Sequence, residues 1–257
     1  MKTQRQNDII QLLANEVTVK TDDLVHRFGV SIETIRRDIR ELKKRNLIST
    51  FYGGIGLRSE NQQITEDFSW QTRLNRRSEE KKRIVRRALD FIPDQATIAL
   101  DIGTTIFELA HILGGKQELI IITNSIKIAG ELSQNTHHDI YTTGGRLYKD
   151  QMITTGSFAR SFLDNFISID LFVCSADGIS FETGITEFSE GVVDVKKKFV
   201  ALAQRIIVLV DHSKFGKRAL FQSCASNNID TIITDKKCPP DSIEKFSKIG
   251  VQVIIAE

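Results

Sequence analysis

The chain has 257 residues, 40% of them apolar and 26% charged, a globular balance that excludes wholesale disorder and leaves room for a small module joined to a larger one. No stretch approaches the roughly 18 apolar residues of a membrane helix, and the start, MKTQRQND, lacks the apolar segment of a secretory signal, so a cytoplasmic chain without a membrane partner is expected. The net charge of +2 is uneven: residues 1–58 carry eleven Lys and Arg against seven Asp and Glu, residues 71–87 eight against two, and residues 88–257 are acidic, so the two ends are expected to meet different partners.

The first predicted element, RQNDIIQLLANE, clusters Ile9, Ile10, Leu12 and Leu13 on one side of a helix ending near Glu16. VTVK is short and β-prone. Thr21 can cap a second helix, DDLVHRF, whose acidic first turn suits the helix dipole and whose end is marked by Gly29. Ser31 can cap a third within VSIETIRRDIRELKKR, where six of sixteen residues are Arg or Lys. At 100° per residue, Ile32, Ile35, Ile39 and Leu42 fall within about an 80° arc that must face the other two helices. Arg37 then lies at the centre of the outward face, ringed by Glu33, Thr34, Arg40, Glu41 and Lys44, with Arg36 and Lys43 at the edge of the apolar stripe.

Helix, short Gly-containing connection, helix is the helix-turn-helix arrangement, in which residues early in the second helix meet base edges. Arg37 and Thr34 are the candidates for reading bases, because a guanidinium can make two parallel bonds to guanine. Arg36 and Lys43 better suit phosphates. A solvated charged face is the bland alternative for such a helix met alone. NLISTFYGGIGL follows as two short strands around Gly53-Gly54, a wing whose Tyr52 and glycine amides can reach DNA.

These residues closely resemble the winged helix-turn-helix of the DeoR/GlpR family of bacterial transcriptional regulators, whose usual pattern is VSxxTIRRDLxxLxxxGxLxRxHGGA. Ser31, Thr34, Ile35, Arg36, Arg37, Asp38, Leu42, Gly53 and Gly54 match it. Asn46 stands where the family has Gly, and Thr50 and Tyr52 where it often has a basic residue and a His. Face and resemblance together give Ser31, Thr34, Arg36, Arg37, Arg40, Lys43, Lys44, Tyr52 and Gly53 as the expected contacts to double-stranded operator DNA.

The expected organisation is a DNA-binding domain over residues 1–58, a linker over 59–76 and an α/β domain over 77–257. A helix is predicted near Glu79 to Phe91, with Ile84, Val85, Ala88 and Leu89 on its apolar side. From Thr97 short β-branched runs alternate with helical patterns: TIALDI, ELIIITN, DIYTTGG, IDLFVCSADG, RIIVLVD, IDTIITD and GVQVIIA supply strands. Helices are expected over TTIFELAHIL, SIKIAGELSQ, about Ser157 to Phe166, about Ser189 to Gln204, and after Asp241. This is an α/β pattern with a largely parallel sheet buried on both faces.

Ligands of such sheets bind beyond the carboxyl ends of the strands. There DIGTT, Asp101 to Thr105, ends a strand and opens a helix: Gly103 permits close approach, and Thr104, Thr105 and the helix amides can hold an anion. It is neither a nucleotide-binding loop nor a dinucleotide fingerprint. Other strand ends carry Thr123-Asn124-Ser125, Gly144-Gly145, Asp177-Gly178 and Asp211-His212-Ser213-Lys214. Each alone reads as a turn; together they suit a phosphorylated polyol, with Lys214 or Lys196 facing the phosphate and Asp101, Asn124 and Asp177 bonding hydroxyls. No catalytic triad or carboxylate pair stands out, even with His212 beside Asp211. Cys174, Cys224 and Cys238 read as reduced thiols, and His137-His138 as loop residues; no metal or cofactor is expected.

DIGTT, TNS, TGG, ADGI, the Lys of VKKK and VDHSKFG also resemble, in order, the sensor domain of the same family. The resemblance implies a fold similar to ribose-5-phosphate isomerase and a phosphorylated-sugar effector held by Gly103, Thr104, Thr105, Thr123, Asn124, Gly145, Asp177, Gly178, Lys196 and Lys214. Members often carry a Glu four residues before that Lys, where this chain has Val192; Glu190 and Glu187 are the nearby substitutes. The implied function is a non-enzymatic repressor of a carbohydrate operon, acting as a dimeric or tetrameric homo-oligomer. Two alternatives stand beside it: a sugar-phosphate isomerase with an accessory front module, and a constitutive DNA-binding protein with an unused pocket.

Overall fold

The computed structural model describes residues 2–15, 19–45, 47–51, 54–57, 70–149 and 151–257. The chain divides into two units, Met1–Arg73 and Leu74–Glu257, and passes from one to the other within the short helix α4, Trp70–Asn75.

The front unit holds helices α1 (Lys2–Asn15), α2 (Thr21–Phe28) and α3 (Ile32–Lys44) and strands β1 (Val19–Lys20), β2 (Ile48–Phe51) and β3 (Gly54–Leu57). The strands form one antiparallel sheet in the order β1-β3-β2. Ile9, Leu12 and Leu13 of α1, Leu24 of α2 and Ile35, Ile39 and Leu42 of α3 share a core with Val19, Ile48 and Ile55. Ile32 sits half-buried at the rim of the apolar arc. Gly29 closes α2 in the left-handed conformation at φ 60°, its N–H donating to Val25 O, and so turns the chain into α3. Thr21 is the first residue of α2 rather than its cap: Lys20, the last residue of strand β1, occupies the capping position, and its side chain does not cap the helix.

One member of the buried face of α3 is polar. Asp38 is fully buried, accepting from Arg5 Nε at 2.6 Å and Gln6 Nε2 at 3.2 Å, while Gln6 also donates to Glu41 at 2.9 Å. A buried carboxylate must be paired, so this network fixes α1 to α3; removing one partner of such a pair costs about 3 kcal/mol.

The large unit is built on seven parallel strands, β4 (Thr97–Leu100), β5 (Ile120–Thr123), β6 (Asp139–Thr142), β9 (Ile169–Cys174), β12 (Ala203–Leu209), β14 (Thr231–Asp235) and β15 (Gln252–Ala256). Their order is β15-β14-β12-β9-β4-β5-β6. Helices α5 (Ser78–Ala88), α6 (Thr104–Ile112) and α7 (Ile126–Asn135) cover one face; α8 (Ser157–Leu163), α9 (Glu190–Leu202) and α10 (Pro240–Lys248) cover the other. Strand residues alternate between the two cores: Ile98, Leu100, Leu171, Val173, Ile207 and Leu209 face the first layer, and Ala99, Phe172, Cys174 and Val208 the second.

Two small sheets complete the unit. Strands β7 (Arg146–Tyr148) and β8 (Ile153–Thr155) form a hairpin, and β10 (Gly178–Ser180), β11 (Gly184–Glu187) and β13 (Phe221–Cys224) an antiparallel sheet. The three cysteines are separate buried thiols; burial pushes Cys224 up to about 11, Cys238 up to about 12, and Cys174 well above its ordinary value. His138, just before β6, accepts from Leu119 N at Nδ1, which leaves Nε2 to donate to Leu113 O at 3.0 Å. Among the described residues no helix is long and apolar enough to cross a membrane.

Candidate functional site

Helix α3 starts where Ser31 takes an extended conformation and its Oγ accepts from Thr34 N at 3.3 Å. The Thr34 hydroxyl is drawn into the same cap, 2.9 Å from Ser31 Oγ. With Ile35, Asp38, Ile39 and Leu42 buried, the helix turns Arg36, Arg37, Arg40, Lys43 and Lys44 outward, all exposed. Arg36 and Arg37 make no ion pair among the described residues, so both guanidiniums remain available. Arg40 instead bonds Glu33 at 3.1 Å, and Lys43 Nζ donates to Thr50 Oγ1 on β2 at 2.8 Å. Thr50, where the resemblance led one to look for a basic residue, is thus the acceptor that ties the third helix to the first wing strand. Tyr52 and Gly53 lie outside the described residues, as does most of the expected linker.

In the large unit the chain runs β4-β5-β6 toward one edge, then returns to place β9, β12, β14 and β15 on the other side of β4. The topological switch therefore falls between β4 and β9, where open α/β sheets form their ligand crevice. Asp101 to Thr105 leave the end of β4, and Ser175 to Gly178 the end of β9. The two segments approach closely: a Cβ on Gly103, whose φ is +117°, would lie 2.6 Å from Ser175 Oγ. Glycine is needed there for both the conformation and the space. Thr104 and Thr105 open α6, each 7% exposed.

Beneath this crevice Lys196, 2% exposed, reaches from α9 and donates to Asp101 Oδ2 at 2.7 Å, Glu187 Oε1 at 2.5 Å and Ser175 O at 2.5 Å. All three protons of its ammonium are used. Asp101 Oδ2 also accepts from Ser175 N at 3.1 Å, so the β4 and β9 ends are locked through one oxygen. Burial opposes charge on Lys196, but Asp101 and Glu187 outweigh it and hold the ammonium well above its ordinary pKa. Burial also raises Glu187, against the pull of Lys196 and helped by Asp177 and Asp101, up to about 8. Of the two substitutes for the missing family Glu, Glu187 meets Lys196; Glu190 is exposed and Val192 buried.

The neighbouring strand ends contribute further. Asn124 Nδ2 donates to Thr154 O, Thr123 Oγ1 accepts from Ser125 N, and Ser125 Oγ caps α7. Gly144 and Gly145 both have positive φ, and Gly145 packs so closely that a Cβ would lie 2.8 Å from Thr155 O. Asp177 Oδ2 accepts from Phe188 N at 3.1 Å, while Gly178 packs against the Lys217 carbonyl. At the end of β12, Asp211 accepts from Ser213 N and lies 3.5 Å from Arg77 Nε; burial raises its pKa, but Ser213, Lys214 and Arg77 bring it below the ordinary value. His212 is held by Asp235 at 3.0 Å. Asp101, Lys196, Ser175 and Glu187 thus form one bonded cluster; Asp211 and Lys214 stand in the short helical turn that follows β12, joined to it by no hydrogen bond among the described residues.

Three contributors escaped the sequence reading. Asp38 is visible there only as part of a pattern. Ser175 serves through its backbone N–H and C=O and through its hydroxyl, which donates to Ile102 O at 3.0 Å, and no residue pattern marks it. Ser189, 1% exposed before α9, has a buried Oγ without a hydrogen-bond partner among the described residues.

A winged helix-turn-helix with outward arginines, on the same chain as an α/β unit with polar groups at its topological switch, defines the class of DNA-binding regulators with an attached sensor. A model of the DeoR-like helix-turn-helix domain matches residues 5–61, and one of the DeoR C-terminal sensor domain matches residues 76–236. The glycerol-3-phosphate regulon repressor of Escherichia coli is 34% identical over 252 residues, 98% of each chain. The transcriptional repressor GlcR of Bacillus subtilis is 33% identical over 97% of this chain and 94% of its own, and the regulator GolR of Listeria innocua 31% over 99% and 98%. Among solved structures, ribose 5-phosphate isomerase A from Neisseria gonorrhoeae is similar over 54% of each chain, at 20% identity and a TM-score of 0.40. The chain belongs to the DeoR family, and it is a DNA-binding transcriptional regulator rather than an enzyme.

Proposed function

We propose that this regulator is a repressor of a carbohydrate catabolic operon, released from its operator by a phosphorylated sugar or related intermediate. Arg37 and Thr34, early on α3, read base edges, while Ser31, Arg36, Arg40, Lys43, Lys44 and the wing residues Tyr52 and Gly53 follow the backbone. Two copies present two recognition helices to half-sites about 34 to 36 Å apart.

The observation that carries the effector half of the reading is the gathering of polar groups at the topological switch, where the β4 and β9 ends adjoin and where open α/β sheets bind their ligands. The effector phosphate lies against the first turn of α6, where Gly103, Thr104 and Thr105 bring amides and hydroxyls together, with Lys214 as its cation. Asn124 and Asp177 bond sugar hydroxyls, Thr123, Gly144, Gly145 and Gly178 shape the walls, and Asp211 holds the Lys214 loop. Lys196, saturated by three acceptors, acts mainly by fixing Asp101 for hydroxyl recognition. The Escherichia coli relative's name, which refers to glycerol-3-phosphate, and the names of other relatives as repressors support this direction.

Binding to the folded state alone raises the thermal midpoint. Among sugars offered with and without phosphate, at least one phosphorylated compound should raise it for the full chain, and Lys214→Ala should abolish that rise. A midpoint indifferent to every phosphosugar, or a Lys214→Ala chain that responds like the parent, contradicts the site.

A further inference from the structure

In β6, the outer strand of the seven-stranded sheet, the edge away from β5 is paired with no other strand among the described residues. Asp139 N donates to Leu119 O and Thr143 N to Thr123 O, both toward β5. Backbone groups alternate sides along a strand, so Ile140 and Thr142 direct their N–H and C=O groups outward. Sheet edges are ordinarily blunted by shortness, charge, Pro or a bulge; β6 is four residues long, DIYT, but has no Pro, keeps unbroken register with β5, and carries its one charge, Asp139, at its end rather than among the outward-directed residues.

An apolar face adjoins the edge. Helix α8 buries Ala159 and Leu163 but leaves Phe158 80% exposed, and just past the helix Ile167 is 99% exposed. Tyr141, 40% exposed, carries its ring from β6 into the same face, 6.4 Å from Phe162 and 6.2 Å from Phe166. Exposed apolar residues scattered singly need no explanation, but a contiguous aromatic face beside an open strand edge marks an interaction surface.

We propose that two copies of the chain join here, by antiparallel pairing of β6 with the β6 of a second copy about a twofold axis at Tyr141. The edge is its own complement in that register. Ile140 of each copy lies opposite Thr142 of the other, and these are the residues with outward groups, so they exchange about four hydrogen bonds. Tyr141 meets itself in the non-hydrogen-bonded position, where side chains approach most closely, and brings the two aromatic clusters together at the axis. Asp139 falls opposite Thr143 of the second copy, which keeps the two carboxylates at opposite ends of the joint and avoids like-charge pairing. A surface that satisfies itself under a twofold operation is the mark of an isologous dimer, and a reader with one recognition helix per chain gains a second half-site from it. The joint is independent of the effector reading, so failure of one leaves the other standing.

Sedimentation equilibrium on the full chain at micromolar concentration tests the proposal. Thr142→Pro removes one outward N–H and no bond to β5, and Phe158→Glu with Ile167→Glu charges the apolar face at exposed positions. Each variant should halve the mass of the parent assembly while remaining folded, with a thermal midpoint that no longer rises with protein concentration as the parent's does. Tyr141→Cys adds a signature that a general loss of stability cannot mimic: a thiol-bearing residue on the axis faces itself at about 4.5 Å between Cα atoms, a disulfide-compatible spacing, and should cross-link two copies under mild oxidation. A monomeric parent, including one that binds a different protein through this face, would overturn the proposal. Unchanged mass in both surface variants, or no cross-linked dimer from the Tyr141→Cys chain, would do the same.

Discussion

Arg36 and Arg37 are adjacent, both exposed and both free of ion pairs among the described residues, yet the turn of the helix gives them different work. Arg37 points directly away from Ile35, Ile39 and Leu42, and Arg36 leans toward the edge of that stripe. Replacing Arg37 by Ala should relax base preference at one operator position, at about 1–3 kcal/mol for the lost bidentate contact. Replacing Arg36 by Ala should weaken binding to all duplexes alike and reduce the slope of log affinity against log salt by about one unit. Titrations against cognate and scrambled duplexes separate the two; equal losses on both duplexes for both variants would remove the base-reading assignment.

At the scale of elements, what could be read depended on length and period. Helix α3 was legible because its apolar positions repeat over thirteen residues and Ser31 marks its start; the seven parallel strands were legible because burial on both faces demands unbroken β-branched runs. The small antiparallel sheet was not. Its strands β10, β11 and β13 are three or four residues long, too short for alternation to stand out, and two begin at glycines that read as turns. That sheet delivers Glu187 to Lys196, a partnership that spacing offered only as one of two substitutes for the residue replaced by Val192. Burial there has a pH signature. With its pKa raised from 4.5 to about 8, Glu187 makes the folded chain hold more protons than the unfolded chain between those values, so its contribution to stability declines as pH rises through that window. Glu187→Gln keeps an oxygen for Lys196 but cannot titrate. Thermal midpoints from pH 4.5 to about 8 should therefore fall less steeply in the variant than in the parent; parallel profiles would place the Glu187 proton elsewhere.

Across the whole molecule, the charge asymmetry of the sequence does not follow the two units with their separate cores: most of the basic stretch 71–87 falls in the large unit, ahead of the acidic 88–257. The order of motifs placed the candidate effector residues at strand ends, and only the strand order shows that the β4 and β9 ends flank a topological switch. Asp101 and Lys196 lie 95 positions apart and meet because parallel β4 and β9 adjoin beneath α9, a relation that no local spacing encodes. Coupling between the units requires that the effector favour one binding state of the chain over another. The most direct measurement is a gel-shift titration of the full chain on the DNA flanking its own gene, with and without candidate sugar phosphates. At least one phosphorylated sugar should lower DNA affinity about tenfold or more, equivalent to about 1.4 kcal/mol or more of coupling, while its unphosphorylated form does not. DNA binding that no phosphosugar alters, or failure to bind that DNA at low salt, would contradict the account.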